Sequence, residues 1–111
     1  MNYYIFPGLD KKVQRRFLIG EVNSIINVTC SLFNVDPEDV ISTNRKRIYT
    51  EPRQIAMYFI RNKTNLSFAK IGKIFSDRDH STVHYSVDLV KDMIDINKRF
   101  RKKIEELEKL I

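Results

Sequence analysis

Apolar residues recur three or four positions apart along most of this sequence, and no stretch sustains a two-residue alternation. Val22, Ile25, Ile26, Thr29, Leu32 and Phe33 form one such stripe, and Val83, Val87, Val90 and Ile94 form another. Phe100, Ile104, Leu107 and Ile111 form a third, at four-three-four spacing. An α-helix turns about 100° per residue, so this spacing gathers apolar side chains on one face, whereas a half-buried strand needs a period of two. The expected fold is all-α, a single helical bundle. Its 111 residues suffice for one core and not for two.

The punctuation divides the stripes into helices. Tyr3, Tyr4, Ile5 and Phe6 precede a Pro7-Gly8 turn and read as an N-terminal arm. A helix is expected from Lys11 to Phe33, with a possible break at Gly20. Residues 1–20 are therefore taken as the arm plus the start of the first helix, and 21–111 as the folded domain. Asp36 caps a short helix that opens on Pro37. Ser42-Thr43-Asn44-Arg45-Lys46-Arg47 is a polar, basic loop. Pro52 is expected to open the next helix, which points Ile55, Tyr58 and Phe59 inward and ends near Asn62. Ser67 caps a two-turn helix facing Phe68, Ile71 and Phe75 to the core, and Asp77-Arg78-Asp79 forms a tight turn before the Val83 stripe.

Charge narrows the choice of partner. The chain carries a formal net charge of +6, which favours a polyanion. Between Arg45 and Lys63, six cations (Arg45, Lys46, Arg47, Arg53, Arg61, Lys63) face one anion, Glu51, a local surplus of +5. Concentration of nearly the whole surplus in one segment suggests a phosphate track. Cys30 is the only cysteine, which excludes an intramolecular disulfide and a multi-cysteine zinc site; it reads as a buried structural thiol. No secretory leader and no apolar run of about 20 residues is present, so a cytoplasmic protein with no membrane partner is expected.

Leu66–Val90 reads as helix, short turn, helix. In a helix-turn-helix the second helix buries one face and presents its first turn to the major groove. That turn offers Asp79, His80, Ser81 and Thr82, all able to reach base edges. His80 and His84 stand four apart, a spacing that can place two imidazoles on one metal, but no third ligand and no glutamate base accompany them. No metal, cofactor or catalytic residue is expected.

From about Asn23 onward the sequence resembles the C-terminal DNA-binding domain of DnaA-type chromosomal replication initiators. The matching words are Phe33-Asn34-Val35, Asp39-Val40-Ile41-Ser42, Pro52-Arg53-Gln54-Ile55-Ala56-Met57-Tyr58, Thr64-Asn65-Leu66-Ser67 and Ile71-Gly72. The most specific is Arg78-Asp79-His80-Ser81-Thr82-Val83. The resemblance implies a Trp-repressor-like helical bundle that binds short asymmetric duplex sites, the DnaA boxes. By position it makes Arg45 a minor-groove arginine, with Lys46 beside it. Arg53, Gln54 and Arg61 become phosphate clamps, and Phe68 and Ala69 neighbours of the DNA backbone. Arg78 and Thr82 flank the major-groove residues Asp79, His80 and Ser81. Neither Arg53 nor His80 lies on an expected core stripe.

The departures are Glu51 in place of a frequent arginine, Ala69 in place of a proline, Asp77 in place of a glycine, and His84-Tyr85 where an aliphatic residue and a histidine are usual. The sequence contains no GxxxxGK[ST] phosphate loop, so neither enzymatic activity nor ATP-driven origin melting is expected of this chain alone. The rival reading is a degenerate domain that docks on a replication or transcription factor. A replication protein held by the N-terminal arm or the C-terminal helix is also compatible with the sequence.

Overall fold

The computed structural model describes residues 11–111, and their caps explain where most helices begin and end. The helices are α1 (Lys11–Phe33), α2 (Pro37–Ile41), α3 (Arg47–Thr64), α4 (Phe68–Ile74), α5 (His80–Ile96) and α6 (Lys98–Leu110). The fold is all-α as expected; the aromatic arm of residues 1–10 lies outside the described residues. Helix α1 passes through Gly20 without a break, since glycine costs a helix only about 1 kcal/mol, and no close contact there requires a glycine.

Asn34 ends α1 in the left-handed conformation (φ 55°). Its amide donates to the Ser31 carbonyl at 3.2 Å, and the Val35 amide donates to the Cys30 carbonyl at 3.0 Å. These two bonds close a Schellman turn. Asp36 then accepts from the Glu38 amide at 2.9 Å, and Pro37 fills the first turn of α2. Ser67 caps α4 through the Lys70 amide at 3.2 Å, and Asn97 caps α6 through the Phe100 amide at 3.1 Å. Arg101 donates to the carbonyls of Ile94 and Asp95, at 2.8 and 2.9 Å, and so holds the end of α5 against α6.

The expected start of α3 is corrected. The helix opens at Arg47, five residues before Pro52, with the amides of Tyr49 and Thr50 both donating to the Lys46 carbonyl at 3.0 Å. Pro52 thus lies inside the helix, where it forgoes one bond to the Ile48 carbonyl. That single loss is offset by burial, since Pro52 begins the run of α3 packed in the core.

The core joins Val22, Ile25, Ile26 and Cys30 of α1 to Ile55, Phe59 and Ile60 of α3, Ile71 of α4 and the adjoining Phe75. Val40 of α2, Ala56 and Met57 of α3, Val83, Val87 and Val90 of α5, and Phe100, Ile104 and Leu107 of α6 complete it. Helix α3 packs on both α1 and α5, and α4 packs on α5. Five of the residues expected to face inward, Phe33, Tyr58, Phe68, Ile94 and Ile111, stay partly buried at its edge, and Leu32 is exposed.

Candidate nucleic-acid interface

The turn between α4 and α5 is set by backbone contact. The Arg78 amide donates to the Gly72 carbonyl at 2.8 Å, and a Cβ on Gly72 would lie 2.0 Å from the Arg78 carbonyl oxygen. Only glycine permits that approach. Ser76 and Asp77 cross the turn in the left-handed region, with φ of 60° and 59°. Asp77 therefore occupies a conformation glycine adopts more readily, which gives the expected glycine there a physical reason.

Helix α5 emerges from this turn with its first residues in solvent. Asp79, His80, Ser81 and Thr82 are all exposed, while Val83 is buried behind them. The three leading side chains are already joined: the Ser81 hydroxyl donates to the Asp79 carboxylate, and His80 Nδ1 lies 3.3 Å from its other oxygen. The Ser81 hydrogen bond, aided by His80, holds the Asp79 carboxyl below its usual range, so it stays an acceptor.

The basic loop is equally ordered. Ser42 Oγ donates to the Asp39 carbonyl at 2.6 Å and accepts from the Asn44 amide at 3.1 Å; Asn44 Oδ1 accepts from the Lys46 amide at 2.9 Å. These bonds bracket Arg45, and Arg45, Lys46 and Arg47 all project into solvent.

Arg53 is where structure and sequence part. Its side chain is 3% exposed and turned inward. Nε donates to the Val40 carbonyl at 2.6 Å, and Nη2 reaches the carbonyls of Asn44 (2.8 Å), Ser42 (3.1 Å) and Asp39 (3.3 Å). The expected surface phosphate clamp, standing apart from the core, is replaced by a buried fork holding the end of α2 and the basic loop. Because α3 starts at Arg47, its free N-terminal amides lie there and not beside Arg53 and Gln54. Burial, with Arg78 nearby, lowers the Arg53 guanidinium to about 10.

Arg78 takes part in the same arrangement. Its Nη2 donates to the Ser42 carbonyl at 2.6 Å, and Ser76 Oγ donates to the Ile41 carbonyl at 2.6 Å. Arg78 Nε is buried without a partner among the described residues, and burial, together with Arg45, pulls this guanidinium down as well. Arg78 is thus half-buried between the turn and the loop, not free beside the first turn of α5.

The other expected contacts are distributed more widely. Arg61 donates to the Leu66 carbonyl at 2.7 Å and lies 4.2 Å over the Phe68 ring. The opposite partner of Phe68 is His84, stacked at 4.6 Å and 14°. His84 also lies 3.2 Å from Asp88, so its imidazole is committed away from His80. Among the described residues no group of three His, Cys, Asp or Glu side chains could hold a metal. Gln54 is half-buried and lines a cleft of about 320 Å³ with Arg47, Glu51, Met93 and Phe100. Lys63 pairs with Glu108 at 3.5 Å, which removes it from the free basic track. Lys70 and Lys73 of α4 and Tyr85 of α5 are exposed. The sequence signal for the lysines was their place between the inward positions 68, 71 and 75.

This fold and its exposed first turn define a DNA-binding helix-turn-helix protein. The bacterial dnaA protein helix-turn-helix family matches residues 22–90, well over half of the chain. The chain belongs to that family. It is 34% identical to the chromosomal replication initiator protein DnaA of Bacteroides thetaiotaomicron over 90 residues, 81% of this chain and 19% of the relative. Against DnaA of Agrobacterium fabrum identity is 34% over 111 residues, 100% of this chain and 21% of the relative. DnaA 1 of Chlamydia muridarum is 39% identical over 77 residues, 69% of this chain and 17% of the relative. The chain thus spans about a fifth of the length of these relatives. No helix among the described residues is long and apolar enough to cross a membrane.

Proposed function

We propose that this chain binds duplex DNA sequence-dependently at DnaA-box-like sites, in replication initiation or its regulation, without hydrolysing ATP. The observation that carries this reading is convergence on one carbonyl. The basic loop carrying Arg45 and the turn that launches Asp79, His80 and Ser81 are both fastened at Ser42, by Arg53 and Arg78. Asp79, kept charged, accepts from a cytosine amino group; His80, Ser81 and Thr82 supply further base-edge contacts. Arg45 enters an adjacent minor groove, where narrow A·T segments concentrate negative potential. Lys46 and Arg47 neutralise phosphates, supported from α3 and α4 by Gln54, Arg61 and Phe68.

The chain contains no phosphate loop, so its contribution is binding and not nucleotide chemistry. Selection of bound sequences from random duplexes tests the reading. A short asymmetric consensus with an A·T-rich flank is expected, with single strands competing poorly because no aromatic platform lines the surface among the described residues. Recovery of random sequences, or equal affinity for single strands, would refute groove recognition.

A further inference from the structure

From the bonds around Ser42 we infer that Arg53, Ser76 and Arg78 are positioning residues. They lock the basic loop to the start of α5 so that Arg45 and the Asp79–Ser81 turn meet DNA as one rigid unit. The inference rests on the duplex reading proposed above and deepens it. Helix α2 has only five residues, too few to hold itself, and its last carbonyls have no partners within the helix. Ser42, the C-cap, takes the Asp39 carbonyl through its amide and hydroxyl, with Arg53 also within reach, but those of Val40, Ile41 and Ser42 itself are taken by side chains from elsewhere: Arg53 from α3, and Ser76 and Arg78 from the turn before α5. Arg45 follows Ser42 by three residues and His80 follows Arg78 by two. A very short path of chain and hydrogen bonds therefore joins the two DNA-facing elements.

The arrangement is costly for an ordinary loop anchor. Two guanidiniums share one acceptor with no carboxylate paired to either among the described residues, and each is pushed below its usual range by burial and by a neighbouring arginine. What it provides is geometry. A loop ordered in advance loses less freedom on meeting its groove, so its contacts count more fully toward affinity and preference.

The test uses Arg53→Lys, which keeps the charge but cannot fork to Val40, Ser42 and Asn44. Its companion is Ser76→Gly, which removes the bond to Ile41 while suiting the left-handed backbone. Base preferences of each variant are measured across the selected site. The loop set of positions is those flattened by Arg45→Ala, and the helix set those flattened by His80→Ala. Arg53→Lys is expected to weaken preference in the loop set roughly three- to tenfold while changing the helix set less than about twofold. Ser76→Gly should act in the same direction, more weakly. A purely structural role would lower the active fraction and leave both sets unchanged, which overturns the inference. A uniform loss with a shallower salt dependence would make Arg53 a phosphate contact, and also overturns it. If Arg53→Lys does not fold, Ser76→Gly decides alone, and an unchanged loop set in that variant rejects the lock. A wild-type protein without preference anywhere is a different result: the duplex reading itself then fails, and this inference with it.

Discussion

Gly72 and Arg78 meet backbone to backbone, the Arg78 amide 2.8 Å from the Gly72 carbonyl and the Arg78 oxygen 2.0 Å from where a Gly72 Cβ would stand. No rotamer change relieves a clash with backbone. Gly72→Ala is therefore expected to open the turn, lowering stability by about 2–3 kcal/mol. Because the turn aims α5, DNA binding should fall further than the loss of folded protein accounts for. Urea unfolding beside duplex titration measures both, and an unchanged midpoint would contradict the contact.

Arg45 and Arg53 are both cations of the basic segment, yet their substitutions should separate. Arg53→Ala strands the buried carbonyl of Val40 and the partly buried one of Asn44 and is expected to cost about 2–4 kcal/mol of stability. Arg45→Ala, on an exposed side chain, should change stability by no more than about 0.5 kcal/mol while weakening DNA binding and flattening A·T preference. Thermal melts and affinities of the two variants decide this; equal melting temperatures would remove the structural role given to Arg53.

Arg53 also marks the limit of what the sequence discloses. The helical periodicity identified the bundle and most of its core, because Val83, Val87 and Val90, like Phe100, Ile104 and Leu107, sit where a 3.6-residue repeat buries them. The first turn of α5 was equally legible, since Asp79 to Thr82 precede that stripe. An arginine reaching 13 residues back to Val40 leaves no periodic trace, and its charge argues for the surface. The start of α3 was missed for a related reason. Proline favours a first helical turn, but the chain accepted one lost bond and buried the ring. The Arg61–Phe68–His84 stack was hidden too, because it depends on how α3, α4 and α5 come together and not on spacing within one helix.

Asp77 holds a left-handed backbone and a negative charge in the turn before α5. Asp77→Gly relieves the first and removes the second. Relief of the left-handed strain is partly offset by glycine's greater freedom when unfolded, leaving an expected gain of about 0.5 kcal/mol. DNA affinity should also rise, most at low salt where charge is least screened. A lower melting temperature or weaker low-salt binding would contradict the turn geometry.

Cys30 is 1% exposed, and burial, with Asp36 adding, raises its thiol from 9.0 to about 11. The folded state therefore retains this proton more tightly than the unfolded one. Its stabilising contribution is complete below pH 9 and declines as pH rises through 9 toward 11. Alkylation at pH 8 should proceed only as fast as the protein unfolds. Rapid labelling of the native protein would show that the thiol is accessible.

The most direct measurement of sequence-dependent duplex recognition is a salt titration of the wild-type and His80→Ala proteins. Each is run against the selected duplex and a scrambled one, with circular dichroism to confirm folding. Roughly three to five phosphate contacts predict a wild-type log–log slope of roughly −2.7 to −4.5. His80→Ala should lose ~1–3 kcal/mol on the selected duplex, barely change on the scrambled one and keep the wild-type slope. Equal weakening on both duplexes with the fold intact, or no change on either, would contradict recognition through the first turn of α5.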